Sequence, residues 1–183
     1  MAFTDLQSFL ALLEKEGELK RVTEEVDAEL EVTEIATRAV KENLPALLFE
    51  NVKGSKYPLV INSMASIRRI ELALGRPAEA LGEDIVRFME DVNPPSLGSF
   101  WRNRQTGWRL LKIRPKNTRR ALSQQISEEP QLNDLPILKC WPEDGGRFFT
   151  LPLVISRDPK TGAGNMGMYR MQVYDQRTTG MHM

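Results

Sequence analysis

The sequence predicts an α+β fold. Helices and strands alternate in the N-terminal part of the chain, and the C-terminal part contains only strands. Three observations lead to this prediction. Two amphipathic helix patterns occupy the first 43 residues, two short apolar strand patterns lie between residues 46 and 62, and the segment after Gly146 has strand patterns alone. With 183 residues, of which 41% are hydrophobic, the chain can build one ordinary domain or one and a half small ones.

The first helix is predicted to begin at a capping box formed by Thr4 and Gln7 and to end before Gly17, which suits a C-terminal cap. Its apolar face consists of Leu6, Phe9, Leu10 and Leu13. These positions are three and four residues apart, the spacing that places side chains on one side of a helix. A short strand over residues 18–22 should follow.

A second helix is predicted from Asp27, as its cap, to about Asn43. Its buried stripe consists of Val32, Ile35, Ala36, Ala39 and Val40. Residues 46–52 and 57–62 are rich in apolar and β-branched side chains and are separated by the turn formers of residues 53–56. They are therefore predicted to be two strands.

Two further helices are predicted around residues 67–74 and 78–91, and a short one around residues 118–126. After residue 93 the helix and strand patterns become less regular: a basic stretch follows, and then an irregular one. We therefore predict an N-terminal α/β domain over residues 1–120, and a linker with an incomplete β domain over residues 121–183.

A β-hairpin is predicted near the C-terminus, with residues 150–156 and 168–174 as its strands. The connection contains the turn formers of residues 158–162. Residues 162–167 match the G-x-G-x-x-G expression, which suggests dinucleotide binding. A dinucleotide loop opens a helix, whereas a strand pattern follows here, so this interpretation is rejected.

Charge is segregated along a chain that is neutral overall. Residues 1–100 hold 18 acids and 11 bases, whereas residues 101–120 hold 8 bases, no acid, and the tryptophans Trp101 and Trp108. Such a block could contact phosphates and stack on bases, which leaves a nucleic-acid-binding protein as one alternative. Because the chain offers no wider basic field, we expect no nucleic acid partner.

The sequence predicts a cytoplasmic protein. No stretch approaches the roughly 20 apolar residues that a membrane span needs, and the first 20 residues carry acids where a secretory signal would carry bases. The single cysteine, Cys140, cannot form an internal disulfide, which fits a reducing compartment.

Asn165 and Arg170 are the candidate binding residues, because they place an amide and a guanidinium in an otherwise apolar strand pattern. Arg170 could bind a carboxylate or phosphate with two parallel hydrogen bonds, or it could be an outward-facing surface arginine. Asn165 could be a ligand or a turn residue. His182 is the only histidine, so a histidine metal cluster or a Ser-His-Asp triad cannot be built within this chain.

Several linked motifs resemble the UbiD family of decarboxylases. The run Arg157-Asp158-Pro159, Gly162, Asn165-Met166-Gly167-Met168-Tyr169-Arg170-Met171-Gln172-Val173 and Thr178-Thr179-Gly180-Met181-His182 is similar to that family's signature stretch. Upstream, residues 45–54, 58–63 and 74–75 resemble its N-terminal domain in the same order. The resemblance covers nearly the whole chain.

The resemblance implies reversible, non-oxidative decarboxylation of aromatic or α,β-unsaturated carboxylic acids, such as a polyprenyl-4-hydroxybenzoate in ubiquinone biosynthesis. It implies prenylated FMN as cofactor, with Mn²⁺ on its phosphate and K⁺ nearby, and a flavin prenyltransferase as the cofactor's supplier. The domain at residues 121–183 would be the first strands of a split β-barrel that binds the flavin. The full-length protein would form a homo-oligomer.

Residue roles are also implied by position. Asn165 would be a metal ligand, and Arg170 would be catalytic, because it would face the substrate carboxylate. The residues that would contact the flavin are Gly167, Met168, Tyr169, Arg170, His182 and Met183.

Length is the one departure from the family pattern. The metal-binding histidine and glutamate and the acidic proton donor of relatives lie beyond the last residue of this chain. We therefore expect an N-terminal part of a decarboxylase that is inactive alone. An FMN-binding or flavin reductase module built on a split barrel is the other alternative.

Overall fold

The computed structural model describes residues 3, 5–93, 108, 119 and 121–181. These residues fall into two compact units, one built from the described residues up to 69 together with 129–181, and the other from the described residues between 70 and 128. Within the described residues, four α-helices accompany small sheets, so the predicted α+β class is confirmed. The split barrel and the domain division at residue 120 remain predictions.

Helix α1 spans Leu6–Lys15, with Asp5 as its N-cap. The Asp5 carboxylate accepts a hydrogen bond from the Ser8 backbone N–H at 2.8 Å. Thr4, the predicted cap, lies outside the described residues. Gly17 ends the helix as predicted, because its φ of 75° is the left-handed conformation that glycine adopts without strain. Strand β1 follows at Leu19–Val22.

Helix α2 spans Glu31–Lys41, and its N-cap, Leu30, lies three residues after the predicted cap. Asp27 does not cap it: its carboxylate accepts the Glu29 N–H at 2.9 Å and pairs with Lys53 at 3.0 Å, which fixes a turn before the helix. Of the predicted stripe, Val32, Ala36 and Ala39 are buried and Ile35 packs against the core. Val40 is 41% exposed, so its predicted burial is wrong.

Strand β2 spans Ala46–Phe49 and β3 spans Leu59–Ile61, inside the predicted ranges. The sheet order is β1-β2-β3, with β1 parallel and β3 antiparallel to β2. Every residue of the central strand β2 is buried. The core cluster consists of Val26, Val32, Ala39, Leu47, Phe49 and Val52. Helix α3 then covers Ile67–Leu74, as predicted.

The second unit contains helix α4, at Ala78–Val92, within one residue of the predicted range. A short 3₁₀ turn at Leu122–Gln124 occupies part of the range predicted as helix around residues 118–126. The preceding Ala121 is extended, with φ −92° and ψ 142°, so the helical pattern cannot continue backwards through it. No helix in the described part of the chain is both long and apolar enough to cross a membrane.

Beyond Gly146 the described residues form strands alone, as predicted. The strands are β4 (Phe148–Phe149), β5 (Leu153–Arg157), β6 (Gly164–Met168), β7 (Met171–Val173) and β8 (Thr179–Met181). They form two sheets, β4-β7-β8 and β5-β6. The hairpin partner of β5 is therefore β6, and not residues 168–174 as predicted.

The difference comes from the turn between β5 and β6. The Asp158 carboxylate accepts hydrogen bonds from the backbone N–H groups of Lys160 and Thr161, at 2.7 and 2.9 Å. Gly162 then takes a left-handed φ of 71°. The turn closes early, so the return strand begins at Gly164. The chain leaves this hairpin at Tyr169 and Arg170 and enters the other sheet.

Candidate functional site

The β5–β6 hairpin has two chemically different faces. Side chains that are opposite in an antiparallel pair share a face. The register aligns Leu153 with Met168 and Ile155 with Met166, which makes one face apolar, and all four side chains are exposed. The second face carries the pairs Val154–Gly167 and Ser156–Asn165. Asn165 and Met168 therefore point to opposite sides of strand β6.

Tyr169 folds back over the face that carries Asn165. The Asn165 Nδ2 lies 3.4 Å from the Tyr169 hydroxyl, to which it donates a hydrogen bond. A Cβ built on Gly167 would lie 2.5 Å from the ring carbon Cε2 of Tyr169. A side chain at position 167 would therefore displace the end of the Tyr169 ring from its present place. The hydrogen bond uses the amide nitrogen and does not occupy the amide oxygen of Asn165, the atom that would bind a cation.

Replacing Gly167 with alanine is expected to displace the end of the Tyr169 side chain and to leave the chain about 1 kcal/mol less stable than a Gly164→Ala variant, because the added methyl overpacks the site. Gly164→Ala is the matched control: it lies on the same strand, and nothing lies within 4 Å of its added Cβ. Urea unfolding measures both variants. Equal stabilities for the two would contradict the packing of Tyr169 on Gly167.

Arg170 lies between β6 and β7, and its side chain joins the second sheet. Its Nη2 donates to the Asp144 carboxylate at 2.8 Å, and its guanidinium carbon lies 3.7 Å from the centre of the Phe148 ring. The Arg170 side chain is 45% exposed, whereas that of Asp144 is only 12% exposed. The hydrogen bond from Arg170 holds the pKa of Asp144 below its usual range, so the carboxylate is ionised at neutral pH.

Two other acids of this region, Asp158 and Asp175, are turn formers, and Asp158 lies in the predicted turn of residues 158–162. Each accepts hydrogen bonds from two backbone N–H groups that follow it. These bonds hold the pKa of both carboxyl groups below the usual range.

The predicted site residues occupy neighbouring but different surroundings. Asn165 contacts Tyr169 across the hairpin face, and Arg170 contacts Asp144 and Phe148. Their convergence on one bound group therefore remains a prediction. His182 and Met183 lie outside the described residues. Asp144 was not predicted from the sequence, because its only signal is the turn-forming run of residues 141–146.

A complete metal site cannot be built from the described residues, among which no group of three or more His, Cys, Asp or Glu could hold an ion. The amide oxygen of Asn165 is a hard ligand that suits Mn²⁺, but one neutral ligand binds a divalent ion weakly. Asn165 therefore fits a metal site to which other groups contribute most of the charge.

The basic block at residues 101–120, which carries the nucleic-acid alternative, lies almost entirely outside the described residues. Trp108 and Arg119 are its described members, and both are exposed. The alternative therefore remains a prediction.

Two family models match the chain. The model of the 3-octaprenyl-4-hydroxybenzoate carboxy-lyase N-terminal domain matches residues 10–89. The model of the Rift-related domain of the same carboxy-lyase matches residues 114–183. Together the two models cover most of the chain and leave residues 90–113, which include most of the basic block, between them.

A relative from Archaeoglobus fulgidus, an uncharacterized protein, is 44% identical over 183 residues, which is all of this chain and 38% of the relative. The chain spans 31–38% of the length of the most similar curated relatives.

Two solved structures resemble the fold over 99% of this chain. Vanillic acid decarboxylase of Sedimentibacter hydroxybenzoicus, in an open form, is 27% identical with a TM-score of 0.76, and 38% of that chain is covered. An evolved dimeric form of the UbiD-class enzyme HmfF from Pelotomaculum thermopropionicum, in complex with prFMN, is 26% identical with a TM-score of 0.69, again over 38% of that chain.

Proposed function

The chain belongs to the UbiD family of carboxy-lyases, and from this premise we propose that it supplies part of the flavin and substrate site of a decarboxylase. The substrates would be aromatic or α,β-unsaturated carboxylic acids, and a polyprenyl-4-hydroxybenzoate of ubiquinone biosynthesis is one example. The observation that carries the proposal is the half-exposed Arg170 guanidinium, which is held on an aromatic ring beside an apolar hairpin.

Arg170 would bind and orient the carboxylate of the acid. Its planar fork of N–H donors matches two carboxylate oxygens, and Asp144 engages Nη2 alone among its three nitrogens. The arginine cannot supply the proton that replaces the lost carbon dioxide, because a guanidinium does not give up its proton in proteins. A separate acid must therefore complete the reaction.

Prenylated FMN would be the cofactor and, when bound, would supply the electron sink for loss of carbon dioxide. The complex of HmfF with prFMN supports this choice. Gly167, Met168, Tyr169 and Arg170 would contact the flavin, together with His182 and Met183. The side chain of Met168 is exposed on the hairpin face opposite Asn165, where it is open to contact with a flat ring.

Asn165 would be one ligand of an Mn²⁺ ion on the flavin phosphate, with K⁺ nearby. Residues 121–183 would form the first strands of a split β-barrel that holds this cofactor, next to an N-terminal domain over residues 1–120. A flavin prenyltransferase would deliver the cofactor, and the complete protein would act as a cytoplasmic homo-oligomer.

We expect the 183-residue chain by itself to release no carbon dioxide. Among the described residues no group of three or more His, Cys, Asp or Glu could hold a metal ion. The acid that bonds Arg170, Asp144, has a lowered pKa and is ionised, so it cannot donate the proton. The longer polypeptide, meaning this chain joined to the further sequence that its relatives contain, should be active. The measurement is carbon dioxide release with prenylated FMN, Mn²⁺ and a panel of aromatic acids.

The outcomes separate the alternatives. The proposal is supported if the longer polypeptide releases carbon dioxide and the 183-residue chain does not. Release by the 183-residue chain above a blank would contradict the expectation that it needs the further sequence for activity. A longer polypeptide that decarboxylates no acid but cycles FMN between redox states would indicate the flavin reductase alternative.

A further inference from the structure

Asp144 is a carboxylate that is fixed in place by its own turn. Its backbone N–H donates to the Trp141 carbonyl at 3.0 Å, and its Oδ2 accepts the Trp141 N–H at 3.2 Å. The next residue, Gly145, accepts a hydrogen bond from the Gln172 side chain of β7 at 3.0 Å. The turn is thus closed on itself and attached to the strand that follows Arg170.

Arg170, by contrast, has no strand of its own to fix it, because it lies where the chain passes from one sheet to the other. Two contacts define its side chain. The ring of Phe148 lies under the guanidinium, and Asp144 holds Nη2. An arginine side chain without such contacts loses more rotamer entropy when a ligand orders it.

We propose that Asp144 is a positioning residue, which holds the Arg170 guanidinium flat on Phe148 so that its remaining donors meet the substrate carboxylate in one orientation. This proposal rests on the proposed function, since it assigns Arg170 a carboxylate ligand. Asp144 itself touches neither substrate nor cofactor. The low pKa of Asp144 supports its ionised state in this role.

A purely electrostatic effect would have the opposite sign. The negative Asp144 repels a second carboxylate, so removing its charge would strengthen the binding of an anion to Arg170 if orientation were irrelevant. Positioning predicts weaker binding and slower catalysis, because a misplacement of about 1 Å can cost on the order of 100-fold in rate. The two effects can therefore be distinguished by direction.

The kinetic test compares Asp144→Asn, Asp144→Glu and Glu143→Gln in the longer polypeptide. Glu143 is the matched control, since it is an exposed acid in the same turn. We expect Asp144→Asn to lower kcat/KM by about 10- to 100-fold and to weaken inhibition by benzoate, with KM raised. Asp144→Glu should recover part of the loss, and Glu143→Gln should match wild type. Unchanged or tighter benzoate inhibition in Asp144→Asn would overturn the proposal.

A second readout does not depend on activity. In the 183-residue chain, the signal of the Arg170 Nη2–H group that bonds Asp144 should be resolved in the NMR spectrum and protected from exchange. Asp144→Asn should move it to the position of a free arginine, while Glu143→Gln should leave it in place. An unmoved Arg170 signal in Asp144→Asn overturns the proposal. If the signal moves but the longer polypeptide decarboxylates no acid, positioning stands and the proposed function fails.

Discussion

Arg170→Ala in the longer polypeptide is expected to lower kcat/KM for decarboxylation by about 100- to 1,000-fold, the usual cost of removing a preorganised donor from a reacting group. The guanidinium is already oriented by the ring of Phe148, 3.7 Å away, and by Asp144. Alanine would leave the Asp144 carboxylate facing the substrate carboxylate without an intervening cation. The substrate would then be repelled as well as misaligned.

Arg170→Lys keeps the charge but loses the planar fork, so we expect it to recover only part of this activity. Arg157→Ala is the control, because Arg157 is an exposed arginine at the end of β5 whose contact is with the Gly162 carbonyl. Steady-state kinetics on the three variants provides the measurement. An Arg170→Ala enzyme within threefold of wild type would remove Arg170 from the reaction.

Arg69→Ala is expected to lower the free energy of unfolding by about 3 kcal/mol, because it leaves the partner of a buried ion pair uncompensated. The Arg69 side chain is 3% exposed, and its Nη1 bonds the Glu18 carboxylate at 2.9 Å and the Leu44 carbonyl at 3.3 Å. The loss lies at the lower end of the usual range, since Glu18 is 26% exposed and water reaches it.

The neighbouring Arg68 offers a matched comparison. It pairs with Glu16 at 2.7 Å, but the two side chains are 56% and 33% exposed, so Arg68→Ala should cost only about 0–1 kcal/mol. Urea unfolding followed by circular dichroism measures both. Equal losses for the two variants would show that burial of Arg69 does not determine its contribution.

Most of the helices could be predicted from local sequence patterns. The ends of α3 and α4 follow from apolar spacing together with the glycine at position 75 and Pro77, all of which act within a few residues. The start of α2 was placed too early because Asp27 has a competing partner, Lys53, which is 26 residues away in sequence. A cap pattern cannot reveal such a competitor.

The candidate site residues were also predictable from the local sequence, but their long-range partners were not. Asn165 and Arg170 stand out as polar groups in an apolar pattern, and the glycine at position 167 was expected to contact the flavin. The change of sheet at Arg170 was not predicted, because residues 168–174 alternate like one strand and strand pairing depends on distant partners. Asp144 was missed for the same reason, since it lies 26 residues from the arginine that it binds.

The open face of the β5–β6 hairpin has a practical consequence. Four apolar side chains, each more than half exposed, lie side by side on this face: Leu153, Ile155, Met166 and Met168. In the described part of the chain the sheet has only these two strands, so the outer edge of each carries backbone N–H and C=O groups that the β5–β6 pairing does not use. Such a surface favours concentration-dependent aggregation, in which strand edges of separate molecules pair. The purified chain should therefore be studied at micromolar concentration. Replacing Ile155 with lysine would be the first substitution to test for reducing aggregation.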